Sequence, residues 1–301
     1  MKRRTRYRID GTWYKGNIHL HTTRSDGGLE PAEIAEKYAK AGYDFIFITD
    51  HMRAGTIEKQ KDLPLLALNG IEIEKKKGED NLYHVLGLGF STPIPKDMAF
   101  EKAFRMLKAE NSITVLAHPH WTGNSVADAL AFDFDGVEVY NHVCRPGTGK
   151  SYGVYHWDCM LEKNQNVLGF ASDDAHLRSD DSAWNGGWIM VNAPRLDKRS
   201  IISAIRKGNF YATQGPEIKS IEVSRSRVHV ETSPVRYIRI VRPRWNMVRR
   251  EPPRKGLCTE AEFNLSKAIV WGCRDLVPYM RIEIEDSKGR SAWTNTLYRY
   301  T

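Results

Sequence analysis

A chain of 301 residues with 41% apolar and 27% charged residues can bury a sizeable core without disulfides, and its composition excludes disorder, collagen and coiled coil. No run approaches the ~18 uninterrupted apolar residues of a membrane span, and the basic N-terminus has no apolar run behind it, so neither a transmembrane helix nor a secretory signal is expected. The net charge of +8 is concentrated in residues 216–301, with 17 Lys and Arg against 10 Asp and Glu, and in the first eight residues; the rest is mildly acidic, unlike a uniformly basic nucleic-acid binder.

From residue 17 to about 215, short apolar runs alternate with helical segments. The runs Ile18–Leu20, Phe45–Thr49, Leu65–Ile73, Tyr83–Phe90, Ile113–Ala117, Val137–Tyr140 and Val167–Ala171 read as strands. Pro31–Ala41 has a Pro start and apolar spacing suited to a helix; Asp97–Glu110, Ser125–Phe132, Ser151–Asn164 and Asp197–Lys207 also read as helices. The alternation predicts an α/β domain over residues 13–215, with a barrel as its closed form. After Gly215-Pro216 the period becomes two: Ile221–Val223, Val228–Glu231, Tyr237–Val241, Lys267–Trp271 and Tyr279–Glu285, with turn signals between them, predict a small all-β, sandwich-like domain over residues 216–301. Cys144, Cys159, Cys258 and Cys273 show no close pairing, which fits a reduced, cytoplasmic protein.

The chemistry gathers at strand ends. His19 and His21 lie two residues apart on an expected strand, hence on one face, and Asp26 follows in a Ser-Asp-Gly-Gly loop. The second strand runs into Asp50-His51. Glu72 is a charge inside the apolar Gly-Ile-Glu-Ile, His84 heads the Tyr-His-Val-Leu-Gly strand, His118 ends Val-Leu-Ala-His, and Asp174 and His176 follow Leu-Gly-Phe-Ala-Ser. Burying six imidazoles and three carboxylates together is reasonable only around metal ions. The mixture of nitrogen and oxygen donors suits Zn²⁺, Mn²⁺ or Fe²⁺, and the number of donors exceeds one tetrahedral site, so a cluster is expected. Isolated histidines such as His156 and His229 receive no role.

The motifs Asn-Ile-His-Leu-His-Thr-Thr-Arg-Ser-Asp-Gly, Ile-Thr-Asp-His, Gly-Ile-Glu-Ile, His-Val-Leu-Gly, Ala-His-Pro and Ser-Asp-Asp-Ala-His resemble the polymerase and histidinol phosphatase (PHP) family, over about residues 13–190 and in family order. The flanking Trp-Tyr-Lys-Gly-Asn-Ile-His, Asn-Phe-Tyr-Ala-Thr-Gln-Gly-Pro and Ala-Trp-Thr-Asn resemble a narrower branch that includes a carbaryl hydrolase and carries a small β domain after the catalytic one. The family resemblance implies a distorted seven-stranded (β/α) barrel with three divalent metal ions at one end. It implies that His19, His21, Glu72 and Asp174 hold the first ion, that Glu72 bridges to a second held with His84 and His118, and that Asp26, His51 and His176 hold the third. Asp173 beside Asp174 is the competing carboxylate, and the Asp-x-His spacing favours Asp174.

Such a cluster activates water for hydrolysis. The first functional expectation is a phosphoesterase acting on a small phosphate ester or nucleotide, with Arg24, Arg53, Arg145 and Lys150 as candidate phosphate clamps. His120 and His142 are candidate acids or substrate contacts, and Asp50 a candidate support for a ligand or a helix cap. The alternative is a carboxyl or carbamate ester hydrolase, whose apolar pocket Trp121, Tyr140, Trp184 and Trp188 could line. A nucleic-acid-processing exonuclease is the third reading, suggested by Arg242-Pro-Arg-Trp-Asn-Met-Val-Arg-Arg and Arg254-Lys255, and a solvated loop explains that stretch more simply.

Overall fold

A computed structural model describes residues 3–7, 11–54, 60–77, 81–95, 97–164, 166–179, 183–224, 226–243, 247–252, 256–264 and 279–300. Strand β1 (Arg3–Thr5) precedes β2 (Thr12–Asn17), and helix α1 (Pro31–Lys40) leads to β3 (Phe45–Ile48). Next come β4 (Leu66–Asn69), β5 (Glu72–Lys77), β6 (Asn81–Leu88), α2 (Phe100–Ala109) and β7 (Ile113–Leu116). The short helices α3 (Pro119–Thr122) and α4 (Val126–Ala129) precede β8 (Gly136–Asn141), α5 (Cys144–Thr148), α6 (Val154–Lys163) and β9 (Leu168–Ser172). The α/β part ends with β10 (Trp188–Ala193), α7 (Lys198–Lys207) and β11 (Phe210–Thr213).

Local chemistry sets these elements. Pro31 opens α1, where Glu30 and Glu33 form a reciprocal capping box. Asp197 caps α7 by accepting from the Ser200 amide, and Gly208 ends it in the left-handed conformation. Gly16 is dictated by packing: a Cβ there would lie 2.0 Å from the ring of Phe45, its partner on β3.

The expected closed seven-stranded barrel is not one continuous sheet. Parallel β2, β3 and β4 belong to a nine-stranded sheet, whereas β5 to β9 form a second sheet of five strands. Two features divide them. The expected strand Leu65–Ile73 is broken at Gly70-Ile71, and β6 runs antiparallel to both its neighbours. Single bridges, His51 to Glu72 and Leu20 to Ala175, stitch the two sheets together at one end. The first expected strand is also displaced. It closes at Asn17, so His19 and His21 stand just beyond it rather than within it.

The C-terminal region contributes β12 (Ile218–Val223), β13 (Arg227–Val235), β14 (Tyr237–Val241), β15 (Met247–Arg250), β16 (Cys258–Asn264), β17 (Arg281–Glu285), β18 (Ser291–Thr294) and β19 (Tyr298–Tyr300). Strands β12, β13 and β16 form one sheet. Strands β14, β15, β17 and β18 extend the nine-stranded sheet of the α/β part through the pairing of β11 with β18. The two layers face each other across Ile221, Val228, Val230, Ile238, Ile240, Ile282 and Ile284, a sandwich-like arrangement. The expected strand Lys267–Trp271, Cys273, Arg244, Trp245 and Arg254-Lys255 lie outside the described residues. Cys144, Cys159 and Cys258 are free thiols, and no helix among the described residues is long and apolar enough to cross a membrane.

The two parts share their cores. Trp293 and Tyr279 pack into the α/β cluster, while Tyr7 and Tyr211 pack into the C-terminal one. Asn295, the last residue of Ala-Trp-Thr-Asn, is fully buried; it accepts from the Gly169 amide at 2.9 Å and donates to the Phe210 carbonyl at 3.1 Å. Replacing Asn295 by Ala strands the buried Gly169 amide, at about 1–3 kcal/mol, while the Phe210 carbonyl keeps the Tyr7 hydroxyl at 2.9 Å. The melting temperature is expected to fall by roughly 2–5 °C. A thermal melt within about 1 °C of the unmodified protein would contradict this role.

Candidate metal centre

The side chains that the sequence singled out converge on Glu72, the first residue of β5. Its fully buried carboxylate faces five imidazoles: His19 Nε2 at 3.1 Å, His21 Nε2 at 3.2 Å, His51 Nδ1 at 3.2 Å, His84 Nδ1 at 2.8 Å and His118 Nε2 at 3.4 Å. Burial alone would raise its pKa, but the facing His19 and His84 outweigh that and hold it well below the ordinary carboxylate range. Asp174 is the second hub, 3.2 Å from His19 Nε2, 3.1 Å from His21 Nε2 and 3.7 Å from His118 Nε2. Asp26 forms the third with His176 Nε2 at 3.2 Å, His21 Nδ1 at 3.7 Å and His51 Nε2 at 3.8 Å. Four overlapping donor groups result: His21, Asp26, His51 and His176; His19, His21 and Glu72; His19, His118 and Asp174; and His51, Glu72 and His84.

The donors fit divalent ions. His19 Nε2, His21 Nδ1, His51 Nδ1, His84 Nε2, His118 Nδ1 and Glu72 Oε2 are buried with no hydrogen-bond partner. Groups so placed normally find one. The separations of 3.1–3.4 Å between Glu72 and the Nε2 atoms of His19, His21 and His118 are those of donors each about 2.0–2.2 Å from a shared ion. Two of the converging residues also hold left-handed backbone, His118 at φ 27° and Asp174 at φ 55°, conformations that persist only where the surroundings enforce them.

Of the Asp-Asp pair, Asp174 faces the imidazoles. Asp173 points away, accepting from Asn17, the Tyr38 hydroxyl and the amides of Asn185, Gly186 and Gly187. Asp50 does not touch a histidine ring: it accepts from the Thr22 amide and hydroxyl and from Ser25, tying down the loop that carries Asp26.

Above the cluster opens a cleft of about 690 Å³. Its metal-side wall is Asp26, His51, Glu72, His84, His118, Asp174 and His176; its outer wall includes Trp121, Val143, Cys144, Pro146 and Ala183. Trp121 is 40% exposed and stands edge-on to His118 and His84. Neither Arg24, Arg53, Arg145 and Lys150 nor His120 and His142 are among the lining residues. Arg53, Arg145 and Lys150 are exposed, Arg24 half-buried, His120 exposed, and His142 bonds the Tyr140 hydroxyl at 2.8 Å. Tyr140 is buried, and Trp184 and Trp188 pack around Tyr38 and Tyr43 instead of lining the cleft.

Three residues passed unnoticed in the sequence. Arg178 is the cation among the described lining residues; its guanidinium holds the Asp26 carbonyl at 2.6 Å and the Asp26 carboxylate. Glu74 places a carboxylate oxygen 2.9 Å from His51 Nδ1. Glu138, buried in β8, receives His19 Nδ1 at 2.8 Å and the His118 amide at 2.8 Å. The signal for Glu138 was present, since Gly-Val-Glu-Val buries a charge in an apolar strand just as Gly-Ile-Glu-Ile does.

No family model matches the sequence. The chain is 26% identical over 105 residues to a 5'-3' exoribonuclease of Haemophilus influenzae, covering 34% of this chain and 38% of that protein. It is 28% identical over 102 residues to a 3',5'-nucleoside bisphosphate phosphatase of Chromobacterium violaceum, covering 32% and 35%. The chain thus spans little more than a third of the length of these curated relatives. The fold is similar to that of a two-domain protein from Bacteroides vulgatus containing a PHP-like metal-dependent phosphoesterase, with TM-score 0.57, 15% identity and coverage of 99% of this chain and 98% of that one. The chain therefore shares the two-part fold of that protein.

Proposed function

We propose that the protein is a metal-dependent hydrolase, and specifically a phosphoesterase acting on a small phosphate ester or nucleotide. The observation that carries the proposal is the convergence of five imidazoles on the one buried carboxylate of Glu72 at the floor of an open cleft. His19, His21, Glu72 and Asp174 would hold one divalent ion, Glu72, His84 and His118 a second, and Asp26, His51 and His176 a third, with Zn²⁺, Mn²⁺ or Fe²⁺ matching the donors. Bound there, the ions would lower the pKa of water and neutralise phosphoryl oxygens.

The chain's own residues supply the rest. Glu72 keeps its charge in the interior because the histidines face it, so it is a permanent anionic donor. Arg178, anchored on Asp26, presents a fixed guanidinium to the cleft and would hold a phosphoryl oxygen. The apolar outer wall excludes water from the leaving group's side. Residues 13–215 form the catalytic unit, and residues 216–301 carry none of these ligands and buttress it through β11 and β18.

Replacing Arg178 by Met is expected to raise KM for a phosphate ester roughly tenfold, about 1.4 kcal/mol, and to weaken inhibition by inorganic phosphate in parallel. Unchanged values would remove Arg178 from substrate binding. The proposal as a whole is tested by a hydrolysis screen of phosphate mono- and diesters, nucleotides and aryl esters with defined metals.

A second reading, a carboxyl or carbamate ester hydrolase, is favoured by the outer wall of Trp121, Val143 and Pro146, which suits an apolar leaving group, and by the flanking resemblance to the carbaryl-hydrolase branch. Indifference to millimolar-range phosphate together with aryl carbamate turnover would select it. In the basic stretch Arg242 is buried while Arg249 and Arg250 are exposed, and salt-dependent binding of oligonucleotides would select the nucleic-acid reading.

A further inference from the structure

We propose that Glu138 is the positioning residue that assembles the His19, His118 and Asp174 donor group without itself touching an ion. The inference rests on the metal reading above. Glu138 sits mid-strand in β8 at 1% exposure, and both its oxygens are fully used. Oε1 accepts from His19 Nδ1 at 2.8 Å and from the Ser172 hydroxyl at 2.5 Å. Oε2 accepts from the His118 amide at 2.8 Å and from Asn141 Nδ2 at 2.9 Å. Four donors on two oxygens require a carboxylate; an amide in its place would turn an NH₂ group toward two of them.

Each bond acts on a different ligand. Because Glu138 only accepts, His19 must donate from Nδ1, which leaves the unpartnered Nε2 with its lone pair directed at Glu72 and Asp174. The bond to the His118 amide is charge-assisted and holds that residue at φ 27°, a backbone that would otherwise relax and swing the ring. Asn141 carries the effect to the third ligand: its Nδ2 donates to Asp174 Oδ2 at 3.2 Å as well as to Glu138, and its Oδ1 accepts from the Cys144 amide at 3.3 Å, which fixes the orientation of its side-chain amide. The residues so held, His19, His118 and Asp174, form one of the four donor groups. Asp26, His51 and His176 have no hydrogen bond to Glu138 among those described.

The test is Zn²⁺ titration of chelator-stripped protein by calorimetry, with elemental analysis after gel filtration, on the unmodified chain and on Glu138→Gln, Ser172→Ala and Asn141→Ser. Glu138→Gln is expected to keep the far-UV circular dichroism of the unmodified chain and to lose roughly 10–100-fold in affinity at one class of site while retaining another. Asn141→Ser should weaken the same class less. Ser172→Ala, which removes a donor that touches no ligand, should bind as the unmodified chain does. Glu138→Gln within twofold of the unmodified chain would overturn the proposal, as would Ser172→Ala weakened as much as Glu138→Gln. Should Glu138→Gln fail to fold, Asn141→Ser decides: unchanged Zn²⁺ affinity overturns the proposal. A failure of the unmodified chain to bind Zn²⁺, Mn²⁺ or Fe²⁺ would instead refute the metal reading.

Discussion

Replacing Glu72 by Gln is expected to remove more than one equivalent of metal per chain and to lower turnover by roughly three orders of magnitude, about 4 kcal/mol in the barrier. Five imidazoles share this carboxylate, and its side chain is only 1% exposed. The amide is nearly isosteric, so the loss is one of charge. Solvent compensates little for so buried a carboxylate, and the donor groups that depend on Glu72 weaken together. Elemental analysis of the unmodified and variant proteins measures the effect. At most one ion per chain, unchanged in the variant, would contradict a shared cluster.

The second large effect is an inversion of the pH dependence of stability by metal. In the metal-free protein, burial would lower the pKa of His21, but Asp174 and Glu72 outweigh it and raise it from the ordinary 6.5 to about 9. His19 and His84 are raised by the same carboxylates against the same burial. A raised histidine contributes stability that is complete below its unfolded pKa of 6.5 and is lost as pH climbs through the folded value, so the His21 contribution disappears between pH 6.5 and about 9. For so deeply buried a group it is on the order of 3 kcal/mol. Asp26 and Asp174 have the opposite sign. Burial works against them, yet the facing histidines depress both, so their contribution is present above the ordinary 3.8 and is lost on acidification. With metal bound, the same nitrogens must be unprotonated, and ions and protons compete. The metal-free protein should therefore melt at progressively lower temperature from pH 6.5 to 9. The Zn²⁺-loaded protein should hold or gain stability from pH 6 to 8, and loading should release protons. Parallel melting curves with and without metal across this range would contradict the competition.

Much of the site could be read from the sequence because histidines and carboxylates at the ends of apolar runs are too costly to bury for any bland purpose. His19, His21, Asp26, His51, Glu72, His84, His118, Asp174 and His176 do meet in the structure, although His19 and His21 achieve this from an extended link beyond β2. What escaped was of two kinds. Arg178 looks like any surface arginine until the chain brings it back against Asp26, 152 positions away in sequence. The sequence points instead to Arg24, Arg53, Arg145 and Lys150, which follow strands and do not line the cleft. The pairing of β11 with β18, which runs one sheet from the α/β part into the C-terminal part, joins segments some 80 residues apart in sequence, and no local pattern records it. The turn signal at Gly215-Pro216 marked a change of texture, yet Trp293, Tyr279 and Asn295 bury themselves on the far side of it.

The most direct test of the account is the release of phosphate from a panel of phosphate monoesters and nucleotides by chelator-stripped protein, before and after adding back Zn²⁺, Mn²⁺ or Fe²⁺. The stripped protein should be inactive. Adding one of these ions should restore phosphate release, with inorganic phosphate inhibiting competitively. Robust turnover of aryl carbamates or carboxyl esters, with no phosphate released from any ester and no inhibition by phosphate, would contradict the phosphoesterase assignment.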